Sequence, residues 1–195
     1  MHDPRLTLAA ILDEHLQVAA ATRAQLLPGI AELAADIIAA VEGGGKLIVF
    51  GNGGSAADAQ HFAGELTGHF RRDRPAIPAI ALTTDSSVLT AIANDYGYAD
   101  VFARQVTALC GPADVVVGIS TSGGAENVVR GLQAACDRGA RTWALSGAAG
   151  GRIADVAERA LRVPSGATAR IQEMHITIIH AVSELVDRHA AGEDV

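Results

Sequence analysis

Aromatic residues are scarce in this chain, at 4% with a single Trp. Single-stranded nucleic acids are held on aromatic platforms where bases stack, so that class of partner is disfavoured. Positive charge is short as well. The net charge is −7 at pH 7 and the basic residues form no long run, whereas a domain that binds DNA or RNA carries a basic face. Only two cysteines occur, Cys110 and Cys136, with no CxxC partner and no His nearby at finger spacing. They read as reduced thiols of a cytoplasmic protein. The opening stretch MHDPRLTLAA lacks the charged-then-apolar build of a signal peptide. No apolar run is expected to reach the roughly 20 residues that span a bilayer. What is plentiful is apolar character. At 195 residues and 49% hydrophobic, the chain is large enough for one sizeable α/β domain with its own core.

The most informative stretch is KLIVFGNGGSAADAQHFAGEL, residues 46–66. Leu47 to Phe50 reads as a buried strand, the following glycines as a tight turn, Ser55 as a helix N-cap and the remainder as a helix. Strand, glycine-rich turn and helix together offer backbone N–H groups to an anion. His61 and Glu65, four residues apart, share one face of that helix. The pattern returns at Asp114 to Ile119, a strand that runs into Ser120-Thr121-Ser122-Gly123-Gly124 and then a helix from Ala125 to Asp137. One such turn is weak evidence, because Ser and Thr are common caps. Two of them in one sheet favour phosphate binding. Neither is a GxxxxGK[ST] loop or a GxGxxG turn, so a nucleotide is not favoured.

Taken in order, Thr7 to Leu27 reads as a helix with the stripe Leu8, Ile11, Leu12, Leu16 and Ala19. Pro28 breaks it, and a second helix follows from Gly29 to Val41. These helices precede the first strand and are expected at a subunit contact. Arg71, Arg72 and Arg74 read as a solvated loop, with reach to a phosphate as the alternative. Further strands are expected at Ala79 to Leu82, Arg141 to Leu145 and Ala160 to Val163, with helices between them and a closing helix from Arg170 to His189. This alternation predicts one α/β domain, a three-layer sandwich around a five-stranded parallel sheet. Ligands in such sheets sit at the carboxyl ends of the strands.

The closing helix carries Gln172, Glu173, His175 and His180. By itself His180 reads as a buried, hydrogen-bonded histidine. Glu173 and His180 are about 20° apart around the axis and Gln172 and His180 about 80°, so spacing pairs Glu173 with His180. His61, Glu65 and His180 together make a familiar Zn²⁺ donor set, and without metal the same groups could move protons. His69, one turn beyond Glu65, reads as a surface residue.

At this point the sequence resembles the sugar isomerase (SIS-domain) family, and within it the phosphoheptose isomerases. The resemblance rests on GNGGSAADAQHFAGEL, ALTTDSSVLTAIANDYGY, GISTSG and RIQEMHITIIHAVSELV and covers nearly the whole chain. It implies a flavodoxin-like SIS domain over residues 1–195, with residues 1–43 as a helical extension at subunit contacts of a homotetramer. It implies conversion of sedoheptulose 7-phosphate to D-glycero-D-manno-heptose 7-phosphate through an enediol. By the same resemblance Glu65 is the base and His180 its acid–base partner. Zn²⁺, one per subunit, is held by His61, Glu65, Gln172 and His180, so the resemblance selects Gln172 over Glu173. Asn52, Gly53, Gly54 and Ser55 match the first substrate loop, Asn94 and Asp95 a second contact, and Ser120, Thr121 and Ser122 the phosphate loop; Glu65 and Gln172 also touch substrate. Partners implied are the sugar phosphate and other copies of the chain, with no nucleic acid and no membrane, in the cytoplasm. Two departures bear on substrate choice. Ala125 stands where the family has a phosphate-loop serine, followed by Glu126, which is expected to face solvent. Ala167-Thr168-Ala169 lacks an aspartate found nearby in many relatives. A second reading is a non-catalytic binding protein similar to the DnaA initiator-associating proteins, which share RIQEMH but lack the Glu and second His.

Overall fold

The computed structural model describes residues 3–194; Met1, His2 and Val195, and with them the start of the MHDPRLTLAA stretch, lie outside the described residues. The elements run in chain order as α1 (Pro4–Glu42), β1 (Leu47–Gly51), α2 (Gly54–Thr67), β2 (Ala79–Ala81) and α3 (Ser86–Asp95). A single 3₁₀ turn (Tyr98–Asp100) leads into α4 (Val101–Leu109), followed by β3 (Val115–Ser120), α5 (Glu126–Asp137), β4 (Arg141–Gly147), α6 (Gly151–Val156), β5 (Arg159–Val163) and α7 (Thr168–Ala190). The five strands form one parallel sheet in the order β2-β1-β3-β4-β5. This is the α/β three-layer arrangement that the alternation predicts, with the flavodoxin-like strand order.

The central strands are apolar on both faces because helices cover both. Leu47, Val49, Val115, Val117, Leu145 and Leu161 face one layer, where Leu33, Ile37, Phe62 and Ile179 of α1, α2 and α7 pack. Ile48, Phe50, Val116 and Ala144 face the other, against Phe102, Leu132 and Ile153 of α4, α5 and α6. The period of two along each strand sorts them. Both cysteines are free, and burial pushes the Cys110 thiol up to about 11.

The amino-terminal region departs from expectation. It is one 39-residue helix, with Pro28 inside it. Proline removes one backbone hydrogen bond and crowds the preceding turn, at about 3 kcal/mol. Packing on both sides overrides that cost: Val18 and Thr22 before Pro28, and Ile30, Leu33, Ala34 and Ile37 after it, are all buried. Beyond the core, Leu6, Leu8, Ile11, Leu12 and Leu16 stand exposed. The helix is also long and apolar enough to cross a bilayer, with a window of mean hydropathy 1.5, which corrects the expectation that no stretch would be. Length and composition alone define that property, and a helix packed on a protein core has it too.

The arginines after α2 are the second correction. Arg71 is exposed, but the Arg74 side chain is fully buried and Arg72 largely so. Arg74 Nε donates to Asp187 Oδ1 of α7 at 2.8 Å. Its Nη1 donates to Leu66 O and its Nη2 to Glu65 O, both at 2.8 Å. These carbonyls belong to the last turn of α2, which lacks intrahelical donors and carries the negative end of the helix dipole. Arg72 and Arg74 turn inward because α2 ends against α7, where Asp187 accepts from both. Burial pushes the Asp187 carboxyl up, and hydrogen bonds from Arg74 and Arg72 reverse this and leave it below the ordinary range.

His175 is the fully buried histidine of α7. Its Nε2 contacts Ser146 O at 3.4 Å and its Nδ1 has no partner. Burial pushes the imidazole down to about 4, with the Ser146 contact opposing.

Two measurements follow from these buried groups. Arg74→Met should destabilise by about 3–5 kcal/mol in urea unfolding, because it leaves Asp187 charged and unpaired, while adding Asp187→Leu should recover part of the loss. His175 titrates at about 4 when folded and near 6.5 when unfolded. Its contribution is therefore intact above pH 6.5 and is lost as pH falls towards 4, a swing of roughly 3 kcal/mol. Unfolding midpoints of His175→Leu should fall less over that window than those of the parent protein; parallel curves would contradict the assignment.

Candidate active site

β1 and β3 end side by side, with Gly51 opposite Ile119, at the point where the strand order reverses. That point is where parallel α/β sheets place ligands. The two expected turns meet there and line a cavity of about 210 Å³ with Asn52, Ser55, Ser120, Thr121, Ser122 and Gln172. Ala125 also lines it. A larger cavity of about 470 Å³ lies between β2, α3 and α4, but it touches neither turn and none of the candidate residues.

In the first turn Gly53 is the cap residue, at φ +56°, and α2 begins at Gly54. Ser55 is therefore inside the first helical turn and buried, two positions past the cap role expected of it. Gly54 has a packing reason: a Cβ there would lie 2.3 Å from Gln172 Nε2. In the second turn Gly123 holds φ +70°, and a Cβ would come within 1.9 Å of Gly150 O. The turn is braced from the end of β4 and from α6: Gly147 N donates to Thr121 O and Ile153 N donates to Gly123 O, each at 3.0 Å. α5 starts behind Ala125, which gives no side-chain cap. The first amides of α5 thus lack intrahelical acceptors and are available to an anion. α7 likewise starts behind Ala167 without a side-chain cap.

The second group lies along α2 and α7. His61 Nε2 is 2.7 Å from Glu65 Oε1 and 3.0 Å from His180 Nε2. Ligand atoms of the three residues all fall within 4.8 Å of one another. The Phe70 ring stands 5.7 Å from His180. His180 is half-buried and takes part in this cluster; the enclosed histidine of α7 is His175 instead. The geometry suits a divalent cation, because two imidazole nitrogens and a carboxylate oxygen converge from two rigid helices and zinc takes this donor set. His69 is exposed and outside the cluster, as expected.

The choice on α7 is also readable. Glu173 accepts from Arg170 and pairs with His15 of α1 at 2.7 Å, so it faces away from the cluster. Gln172 turns to Gly54 and the cavity. Gln172 and His180 are eight residues apart, about 12 Å along the helix. Within one chain Gln172 lines the cavity and His180 lies in the cluster two turns on. Asn94 and Asp95 hydrogen-bond each other at 2.7 Å on the exposed end of α3 and line none of the cavities described.

Several groups escaped the sequence reading. Asn127, buried in the first turn of α5, exchanges amide hydrogen bonds with Asn52 at 2.8 and 2.9 Å. Tyr98 OH donates to Asn52 Oδ1 at 3.2 Å. Asp58, one turn before His61, is pushed up to about 6 by burial against the pull of His61, and one of its oxygens has no partner. Glu126 does not simply face solvent: Arg130 Nε donates to it at 2.8 Å and Arg152 also donates to it. Those hydrogen bonds hold its carboxyl below the usual range and offset its charge beside the second turn. The Asn52 partners have no local sequence signal, because Asn127 and Tyr98 lie in other elements, whereas Glu126 and Arg130 form an i,i+4 pair that spacing along α5 could have shown.

Residues 12–147 match the SIS domain family. The curated phosphoheptose isomerase of Geobacter metallireducens is 54% identical over 177 residues, covering 91% of this chain and 94% of the relative. Among solved structures, the phosphoheptose isomerase GmhA from Neisseria gonorrhoeae is 42% identical with a TM-score of 0.90, covering 95% of this chain and 99% of that one. A phosphoheptose isomerase from Francisella tularensis is 37% identical with a TM-score of 0.92, over 96% and 100% of the two chains. With the five-stranded sheet, the paired turns and the His61–Glu65–His180 cluster already in place, these likenesses settle the kinship: the chain belongs to the SIS-domain family and, within it, to the phosphoheptose isomerases.

Proposed function

We propose that this protein is an aldose–ketose isomerase that converts D-sedoheptulose 7-phosphate to D-glycero-D-manno-heptose 7-phosphate. The observation that carries the reading is the convergence of His61, Glu65 and His180 on the same helix pair that borders a hydroxyl-lined anion cavity. Asn52, Gly53, Gly54, Ser55, Ser120, Thr121 and Ser122 form the cradle for substrate and its phosphate. Asn94 and Asp95 serve as a further contact. Gln172, which lines the cavity, orients substrate.

In this mechanism Glu65 removes a proton from C1 of the ketose while the C2 oxygen gains one, which gives the enediol. Glu65 then returns a proton to C2 while the O1 hydroxyl loses one. His180 moves protons between the two oxygens, as a positioned imidazole with a donor and an acceptor nitrogen can. One zinc ion per subunit would be held by His61, Glu65 and His180, with Gln172 as a fourth ligand, and would polarise the carbonyl oxygen. The 12 Å between Gln172 and His180 along α7 favours completion of the set across a subunit contact. The exposed stripe Leu6, Leu8, Leu12 and Leu16 supports assembly through α1, here taken as a homotetramer in the cytoplasm without nucleic-acid or membrane partners. A purely binding role is disfavoured because Glu65 and His180 are both present.

Proton NMR of sedoheptulose 7-phosphate in D₂O, with and without added Zn²⁺, tests the reading. Aldose carrying deuterium at C2 is expected, and absence of conversion in both samples would sink it. Glu65→Gln should lower kcat by roughly 10²-fold or more. Ala125→Ser restores both a helix cap and a hydroxyl donor. It should raise the melting temperature by about 2–4 °C, from about 1 kcal/mol of capping, and lower KM. An unchanged KM would mean that the α5 amides already satisfy the phosphate.

A further inference from the structure

We propose that Asn127 is a positioning residue that locks the two anion-binding turns together through Asn52. The inference rests on the functional reading above and identifies a residue that the reading does not include. Asn52 follows β1 immediately, and Asn127 is the second residue of α5, after the β3 turn. Asn52 Nδ2 donates to Asn127 Oδ1 at 2.8 Å, and Asn127 Nδ2 donates to Asn52 Oδ1 at 2.9 Å. A carboxamide is the side chain that can give and accept in the same plane, so two of them close a reciprocal pair. Tyr98 OH occupies a further site on Asn52 Oδ1.

The pair is placed where it matters for a ligand. Asn52 lines the 210 Å³ anion cavity on one side, and a 70 Å³ cavity with Gly51, Gly53, Thr83 and Tyr98 on the other. Asn127 is 4% exposed, and its amide is held in the low-dielectric interior, where hydrogen bonds are stronger and unpaired polar atoms costly. Asn52 therefore meets substrate in one orientation, set by Asn127 and not by the ligand. Such preorganisation raises affinity by removing the ordering step from binding. The turns most need it here, because Gly53, Gly54, Gly123 and Gly124 give them little stiffness of their own.

The test uses the full-length protein with Asn127→Ala, Asn127→Asp, Asn52→Ala and the double Asn52→Ala/Asn127→Ala. Asn127→Asp is nearly isosteric and keeps acceptance from Asn52 but cannot donate back. Inorganic phosphate binding is measured by calorimetry, and KM and kcat with sedoheptulose 7-phosphate. Asn127→Ala should weaken phosphate binding and raise KM by about tenfold, far more than it lowers kcat. Asn127→Asp should do the same with some loss of thermal stability, because the buried carboxylate keeps only the bond from Asn52 Nδ2. The double variant should be no weaker than the worse single one, since the two amides act as a unit. Phosphate affinity and KM within twofold of the parent, or single effects that multiply in the double, would overturn the proposal. If Asn127→Ala does not fold, Asn127→Asp decides it on the same readouts. Failure of the parent protein to turn over the sugar bears on the functional reading alone, because phosphate calorimetry reports on the clasp without turnover.

Discussion

The structure depends most on one buried guanidinium. Arg74 closes the end of α2 by donating to Glu65 O and Leu66 O, and the same group reaches Asp187 on α7. A charge so placed would be costly alone, since desolvating an ion in the interior costs several kcal/mol. It is tolerated because each side of the fork meets an acceptor that also lacks water. Arg72 adds a second donor to Asp187, and the backbone N–H groups of Arg71 and Arg72 point to the same carboxylate. The result is a joint rather than a surface ion pair. It fixes the carboxyl-terminal ends of two helices that share little else in sequence.

From that joint the site can be followed as a series of contacts along α2 and α7. Asp187 meets the loop after α2, His180 meets His61, and Gln172 meets Gly54. Seven residues separate His61 from Gly54 and eight separate His180 from Gln172, so the helices advance together, roughly two turns per contact. Glycine at 54 sets the close approach at the cavity end, and the arginine sets it at the other. The histidines between them can thus approach to 3.0 Å without either being held by a loop. A cluster on two rigid helices keeps its donor geometry better than one built on turns. The cavity between β1 and β3, by contrast, is built on turns, and its rigidity has to be imported through the backbone bonds from Gly147 and Ile153 and through the Asn52–Asn127 pair.

What could be read from the sequence follows the same division. Strands such as Val115 to Ser120 are legible because an apolar run between turn residues has few alternatives. The histidine–carboxylate pair on α2 is legible because its geometry is local. Pro28 misled because its cost is local while the compensation, burial of Ile30, Leu33 and Ile37, is tertiary. Arg72 and Arg74 looked solvated because charge is normally outside, and the carboxylate they share, Asp187, lies more than a hundred residues away on α7. The wheel on α7 preferred Glu173 for its angle, but angle says nothing about what a helix faces. His15 and Arg170 occupy Glu173, and only the fold reveals it.

Two of the helices that border the cavity begin without a side-chain cap, α5 behind Ala125 and α7 behind Ala167. An uncapped start leaves backbone donors open, and donors at a helix N-terminus favour an anion. At both starts main-chain N–H groups stay open that a capping side chain would have occupied. Glu126 would oppose an anion there if its charge were free, and Arg130 and Arg152 hold it on the outer side of the turn. Recognition then depends on where the backbone of the turn sits more than on which hydroxyls it carries. A site of that kind tolerates changes in its hydroxyls as long as the contacts that fix the turn remain.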